Sequence, residues 1–336
     1  MAAEHLEKLR WLPGVEVAAV CDLHPTLPRA VADRFAVPAA YTDYGAMLAE
    51  VRPLAVHVLT PPQSHRALVL GALEAGAHVV VEKPIVPTWD EYVELREAAA
   101  LAGRMLVENY NYRFMSVVLD AIALLGDGAV GRPVTLDVAM SIGIADPAGP
   151  YADRDHPHFA HDLPGGALQN FASHPASLAV AALGGFDGVR AWRRRVSPHA
   201  LGDDELRAVL SGPGVGATLT LTSSARPSAF TLRIRGTEGT LDVDVYNRLL
   251  ARGSTGDGLA KLTDGLRRAA HEVASTATLA ARFATGRHDY FEGLGTLLRR
   301  FYAAVADGGA NPPLAVAEMN ATNRLVHDLF DPANQL

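Results

Sequence analysis

The chain has 336 residues, 49% hydrophobic and 20% charged, and carries a formal charge of −7 from 30 basic and 37 acidic residues. That length exceeds one ordinary hydrophobic core, so two domains are expected, and the composition is that of a folded globular protein. The acidic balance offers no electrostatic footprint for nucleic acid, and the single cysteine, Cys21, excludes an intrachain disulfide and a cysteine-based zinc site.

Met1 to Trp11 contains Glu4, Glu7, Lys8 and Arg10 and reads as a helix, not as the apolar core of a signal peptide. No run approaches the ~20 apolar residues of a membrane span, and the single cysteine leads to the expectation of a reducing, cytoplasmic setting. Val15 to Cys21 is an apolar run suited to a buried parallel strand, and Pro25 to Phe35 is an amphipathic helix. Strands follow at Ala55–Leu59, His78–Val81 and Met105–Glu108, separated by helices at Ser64–Ala75 and Thr88–Ala102 that end at Gly76 and Gly103. Strands alternating with helices of that length predict right-handed crossovers and a parallel sheet. After Phe114 the rhythm changes. A helix over Ser116–Leu125 precedes a strand over Pro133–Ile142, a His/Asp/Pro-rich loop and a helix over Ala167–Leu183. Successive strands are then expected at Val189–Val196, Glu205–Leu210, Ala217–Ser223, Ala229–Arg235 and Thr240–Tyr246, the last two joined by a Gly236–Gly239 turn. Strands without intervening helices predict an antiparallel sheet. From Leu259 the pattern is helical, with a break at Gly286-Arg287-His288. The expected fold class is therefore α/β, a Rossmann-type parallel domain over residues 1–114, followed by an α+β domain with a mostly antiparallel sheet over residues 115–336. The basic run Arg193-Arg194-Arg195 reads as a solvated strand edge.

In open α/β sheets ligands bind beyond the carboxyl ends of the strands. The first strand ends at Asp22, which either accepts hydrogen bonds from the ribose hydroxyls of NAD or caps the turn before His24-Pro25. The second ends at Thr60-Pro61-Pro62, a stiff segment that can wall a flat ligand or simply turn into the next helix, where His65 sits in the first turn. The third ends at Glu82-Lys83-Pro84. There Lys83 is either a proton-transferring contact to a substrate hydroxyl or a surface lysine paired with Glu82. The fourth ends in Glu108-Asn109-Tyr110-Asn111-Tyr112-Arg113-Phe114, where polar and aromatic groups crowd.

This order of an aspartate after a strand, Thr-Pro-Pro, His65, an Ala-Gly-Ala-His-Val-Val-Val-Glu-Lys-Pro string and an Asn-Tyr-Arg-Phe segment resembles the Gfo/Idh/MocA oxidoreductases over nearly the whole chain. The resemblance implies action on sugars, sugar nucleotides or cyclitols with NAD or NADP. It implies Asp22, Thr60, Pro61, Pro62, His65, Glu82, Lys83 and Arg113 as cofactor contacts. Lys83 and Asn109 also become substrate contacts. In the second half, Pro164-Gly165-Gly166 through Asn170 to His174 matches the family's glycine, aspartate and histidine signature. Asn170 and His174 share a helix face by their spacing. His174 matches the catalytic histidine, and its near-neutral titration suits proton transfer. Asn170 stands where the family has aspartate; it can orient a hydroxyl but not act as a base. Pro175 predicts a kink in this helix. The loop Asp155 to Asp162, with three histidines and two aspartates, is expected to line the substrate rather than bind metal.

The resemblance also calls for an initial strand and a G-x-G-x-x-G turn to cradle the pyrophosphate. The string Gly126 to Gly131 has the spacing but follows a helix, so it is rejected. The expectation is that the natural start lies upstream, by roughly 25 residues for a strand and turn. The expected activity is hydride transfer between nicotinamide and a secondary alcohol or ketone, with Lys83 and His174 as catalytic residues. An enzyme that keeps its NAD and performs internal redox chemistry is a variant of this reading. The alternative is a non-catalytic sugar- or partner-binding relative. A homo-oligomer, dimer or tetramer, is expected by resemblance.

Overall fold

The computed structural model describes residues 1–156, 158–212, 214–254, 258–285 and 289–336; the expected break at 286–288 lies outside them. The chain packs as two compact units. The first is Met1–Asn109 with Leu294–Ala315, and the second is Tyr110–Gly293 with Val316–Leu336.

The first unit alternates α1 (Ala2–Leu9), β1 (Ala19–Cys21), α2 (Leu27–Phe35), β2 (Ala39–Tyr41), α3 (Tyr44–Val51), β3 (Ala55–Val58), α4 (Pro62–Glu74), β4 (His78–Val81), α5 (Trp89–Ala102) and β5 (Leu106–Glu108). All pairings are parallel, but they form a two-stranded sheet, β1-β2, and a three-stranded sheet, β3-β4-β5. Helix α1 reaches both. Its Leu6 joins Ala32 and Val37 in a small core lined by Val20 of β1, while its His5 is hydrogen-bonded to His57 of β3. The valines of β4 are fully buried, as a central parallel strand requires. Helix α5 opens with a capping box, Thr88 with Glu91, and stops at Gly103 in the left-handed region. β2 and α3 were not foreseen. Ala39-Ala40-Tyr41 lacks a β-branched run, and α3 depends on a local cap in which Asp43 accepts the Ala46 N–H at 2.9 Å.

Leu294–Ala315 belongs with this unit, whereas the sequence assigned it to the second domain. The reason is side-chain packing on helix α9 (Glu292–Ala306): Phe301 meets the His57 ring edge-on, and the Tyr302 ring stacks on it. The division after strand β5 falls between Asn109 and Tyr110.

The second unit starts with a 3-10 turn (Asn111–Phe114) and α6 (Ser116–Gly126). Then come β6 (Pro133–Ser141), a second 3-10 turn (Phe159–Asp162), α7 (Gly166–Leu183), β7 (Gly188–Arg194), β8 (Glu205–Gly212), β9 (Val215–Thr222), β10 (Ala229–Gly236), β11 (Gly239–Asp244) and β12 (Leu249–Ser254). Helices α8 (Leu259–Ala284) and α10 (Val316–Phe330) follow. Among the described residues the sheet is seven-stranded, ordered β12-β11-β10-β6-β9-β8-β7, with only the β6–β9 pair of strands parallel. The predicted β10–β11 hairpin forms; Arg193 and Arg194 of the arginine run lie on edge strand β7, and Arg195 follows it. Gly126 to Gly131 ends α6 and turns into β6, so it is no phosphate loop.

Every residue of α7 from Ala167 to Val180 is buried. Small side chains (alanines, serines, Gly165 before it) let α7 sit inside the core, and it runs without interruption through Pro175. Gly165 lies against the Phe330 ring, and an added Cβ would overlap that ring. Gly165→Ala is therefore expected to lower unfolding free energy by about 1–3 kcal/mol, read by urea denaturation.

Candidate active site

In the first unit the carboxyl ends of β3, β4 and β5 gather the predicted residues. The Lys83–Pro84 peptide bond is cis. Lys83 is partly buried, not a surface lysine. Burial pushes its amine below the ordinary lysine value, and the charges of Glu82 and Glu108 oppose that shift. Glu82 is buried. Burial alone would raise its pKa, but hydrogen bonds from His5 and Asn109 outweigh this and hold it below the usual carboxylate range. The distances are 3.2 Å to His5 Nε2 and 2.6 Å from Asn109 Nδ2, both to Oε1. Glu108, fully buried, accepts the Ile85 N–H at 3.2 Å and anchors the chain just past Pro84.

The bond to Glu82 fixes which way the Asn109 amide points, because a carboxylate only accepts. Its Oδ1 is consequently an acceptor, buried and without a hydrogen-bond partner. A buried acceptor left open costs about 1–3 kcal/mol, which a ligand N–H or O–H would recover.

His65, expected at the cofactor, is instead fully buried, with Nδ1 2.9 Å from the Ile85 carbonyl and Nε2 2.7 Å from the Thr60 carbonyl. It braces the segments that leave β3 and β4, and no face of it is open to a ligand. Glu82, also expected at the cofactor, uses its Oε1 for His5 and Asn109. Thr60 and Pro61 are exposed at the end of β3, and Pro62 opens α4 from a buried position. Asp22 Oδ1 accepts the His24 N–H at 2.8 Å, which is the turn-capping arrangement.

In the second unit His174 is buried on α7, and Tyr112 meets it edge-on with ring centroids 4.7 Å apart. Tyr112 is also edge-on to Phe230 of β10, and its hydroxyl is hydrogen-bonded to that of Tyr246. Burial raises the pKa of both tyrosines, so both stay protonated donors at neutral pH. One turn before His174, Asn170 donates from Nδ2 to the Tyr151 hydroxyl at 3.4 Å. Tyr151 comes from the His-rich loop, whose His161 Nε2 lies 2.8 Å from the Tyr151 carbonyl and whose His158 Nδ1 caps the Ala160 N–H. The His158 ring also lies against Tyr151, whose own ring is edge-on to Phe171 of α7; Pro157 is outside the described residues. Arg113, expected at the cofactor, donates through Nε to Glu318 of α10 at 2.9 Å, and its Nη1 is buried without a hydrogen-bond partner.

Sequence reasoning missed His5, His57 and Tyr302 in the first unit and the Tyr112 and Tyr151 contacts in the second. One signal was readable: a histidine inside the apolar strand Ala55-Val56-His57-Val58 needs a partner when buried.

Two family models match the chain. Residues 1–110 match an oxidoreductase family described as having an NAD-binding Rossmann fold, and residues 118–242 match the GFO/IDH/MocA C-terminal domain. The chain is 30% identical over 241 residues to a dTDP-3,4-didehydro-2,6-dideoxy-alpha-D-glucose 3-reductase of Streptomyces violaceoruber, covering 69% of this chain and 66% of that protein. It is 27% identical to a D-apiose dehydrogenase of Paraburkholderia graminis, covering 73% of this chain and 65% of that protein. The chain thus spans about two thirds of the length of these relatives. Among solved structures, a levoglucosan dehydrogenase in complex with NADH and levoglucosan superposes with a TM-score of 0.78 at 21% identity, covering 99% of this chain and 92% of that one. The match of both halves, in order, to the two domains of one family gives the conclusion: this chain belongs to the Gfo/Idh/MocA oxidoreductase family.

Proposed function

We propose that the protein is a dehydrogenase or reductase that moves a hydride between a nicotinamide cofactor, NAD or alternatively NADP, and a CH–OH carbon of a sugar, sugar derivative or cyclitol. The observation that carries the reading is Lys83, a partly buried amine of depressed basicity at the carboxyl end of β4. In the proposed roles, Lys83 donates a hydrogen bond to the reacting oxygen and His174 takes or returns its proton. Asn109, with its open Oδ1, and Asn170 orient substrate hydroxyls. The relatives' named activities on apiose and a dTDP-sugar support the substrate class.

The residues present fit part of the cofactor. Asp22 stands at the end of β1 for a ribose hydroxyl, and exposed Thr60-Pro61 offers a rigid wall at the end of β3. None of the strand-to-helix turns of the first unit, from β1 to α5, contains a glycine that could cradle the pyrophosphate. Bound nicotinamide would supply the hydride acceptor; binding, orientation and proton handling fall to the residues above. Titration with NADH and NADPH, followed by fluorescence, is expected to saturate for at least one of them, with turnover on a panel of polyols and cyclitols. Absence of binding to either nucleotide sinks the reading and leaves the non-catalytic sugar-binding alternative, which Asn170 in place of aspartate favours.

The same reading includes a cytoplasmic location, consistent with one half-buried cysteine, and a dimer or tetramer, for which light scattering giving a single-chain mass is the adverse result. Among the described residues no helix is long and apolar enough to cross a membrane.

A further inference from the structure

Strands β4 and β5 end side by side. Val81 and Glu108 are register partners, so the residues that follow them, Glu82 and Asn109, are neighbours just past the carboxyl edge. The ladder holds both backbones: the Glu82 N–H donates to the Val58 carbonyl at 2.9 Å, and the Asn109 N–H to the Val81 carbonyl at 2.8 Å. Both side chains are buried, and Asn109 is only 2% exposed. Two donors converge on one carboxylate oxygen: His5 Nε2 lies 3.2 Å and Asn109 Nδ2 2.6 Å from Glu82 Oε1. The His5 ring is held from its other side, where Nδ1 is 2.8 Å from His57 Nδ1, and His57 Nε2 is 3.0 Å from the Tyr302 hydroxyl. A carboxylate only accepts, so the Asn109 amide cannot turn over without setting its oxygen against Glu82. Oδ1 is therefore an acceptor of fixed polarity, buried and without a hydrogen-bond partner. Such a group is completed by a donor and repelled by a second acceptor.

We propose that Glu82 is a positioning residue that fixes the polarity of Asn109, and that Asn109 Oδ1 is a subsite for a substrate hydroxyl that donates, closed to an ether, a carbonyl or a fluorine in its place. The proposal rests on the reading of Asn109 as a substrate contact given above, and it narrows the substrate class to polyols with a free hydroxyl at that position. Selection is by hydrogen and not by size. Fluorine is close to a hydroxyl in bulk but carries no hydrogen, and a site built to bond an O–H rejects the analogue that lacks it.

The test compares binding of D-glucose and myo-inositol with that of their monofluoro analogues, each hydroxyl replaced in turn, by titration calorimetry with and without NADH. In the wild type, fluorine at one position is expected to cost at least about tenfold in affinity. Asn109→Leu is expected to lose that preference. Glu82→Gln offers an amide oxygen to the same two donors and is expected to keep it, whereas Glu82→Leu releases the Asn109 amide and is expected to lose it. Loss in both Glu82 variants assigns the effect to the charge of Glu82 and overturns the positioning role. The wild-type comparison decides even where a leucine variant fails to fold: equal binding of every fluoro analogue, or no binding of either parent, overturns the proposal, as does a preference that survives Asn109→Leu. A loss confined to the choice between NADH and its 3-acetylpyridine analogue, which lacks the carboxamide N–H, assigns Oδ1 to the cofactor and overturns the hydroxyl subsite. Hydroxyl preference without nucleotide binding leaves the subsite standing and removes the dehydrogenase reading; nucleotide binding and turnover without the preference remove the subsite alone.

Discussion

Lys83→Met is expected to lower kcat/KM for alcohol oxidation by about 10²–10³-fold, the loss typical when one donor to a developing oxyanion is removed. Methionine keeps the length and apolar stem of lysine, so the loss reports the amine. The variant's stability gives the control. The folded-state pKa of Lys83 is depressed by burial. In the window between that value and the ordinary lysine value of about 10.4, the unfolded chain binds a proton that the folded chain does not. Folding stability therefore rises with pH through the window, and the cost of the buried charge is fully present below it. Methionine carries no such cost, so at neutral pH Lys83→Met is expected to melt no lower than wild type while losing activity. A variant that keeps wild-type kcat/KM removes Lys83 from the chemistry, whatever its melting temperature.

The parallel elements were legible because their signals are local and redundant. His78–Val81 was read residue for residue, and α5 was read from Thr88 to its end at Gly103. The antiparallel sheet was legible as strands in series, but not its order: pairing β6 with β9 in parallel joins strands 74 or more residues apart, which no short window encodes. At the site, strand-end position was readable, since ligand groups collect at carboxyl ends. Partnership was not. His65 occupies the first turn of α4, where sequence cannot distinguish a ligand contact from a ring whose nitrogens meet two backbone carbonyls, one of them 20 residues away. Glu82 looked like the natural partner of Lys83, yet its bonds run to residues 77 positions back and 27 ahead. Likewise, nothing near residue 301 advertises that α9 leaves the second unit to cover His57 in the first.

His174→Asn is expected to lower kcat by about 10²–10⁴-fold and to abolish the limb of the pH profile that an acid–base histidine sets, because asparagine fits a helix and hydrogen-bonds but cannot titrate. The limb's direction follows from the role: in alcohol oxidation the neutral imidazole accepts the proton, so wild-type activity rises with pH through the His174 pKa, and in ketone reduction it falls. Lys83→Met should keep this limb, since on the proposed assignment its amine stabilises charge and does not carry the transferred proton. That separates the two residues by a readout other than the size of the loss. A limb that survives in His174→Asn and vanishes in Lys83→Met reverses their roles. The double variant then tests whether they serve one transition state: groups that act together lose less in combination than the product of their single losses, whereas independent sites multiply. A multiplicative double loss means that the two signatures the sequence pairs, Glu-Lys-Pro and the glycine-to-His174 run, do not act on the same oxygen.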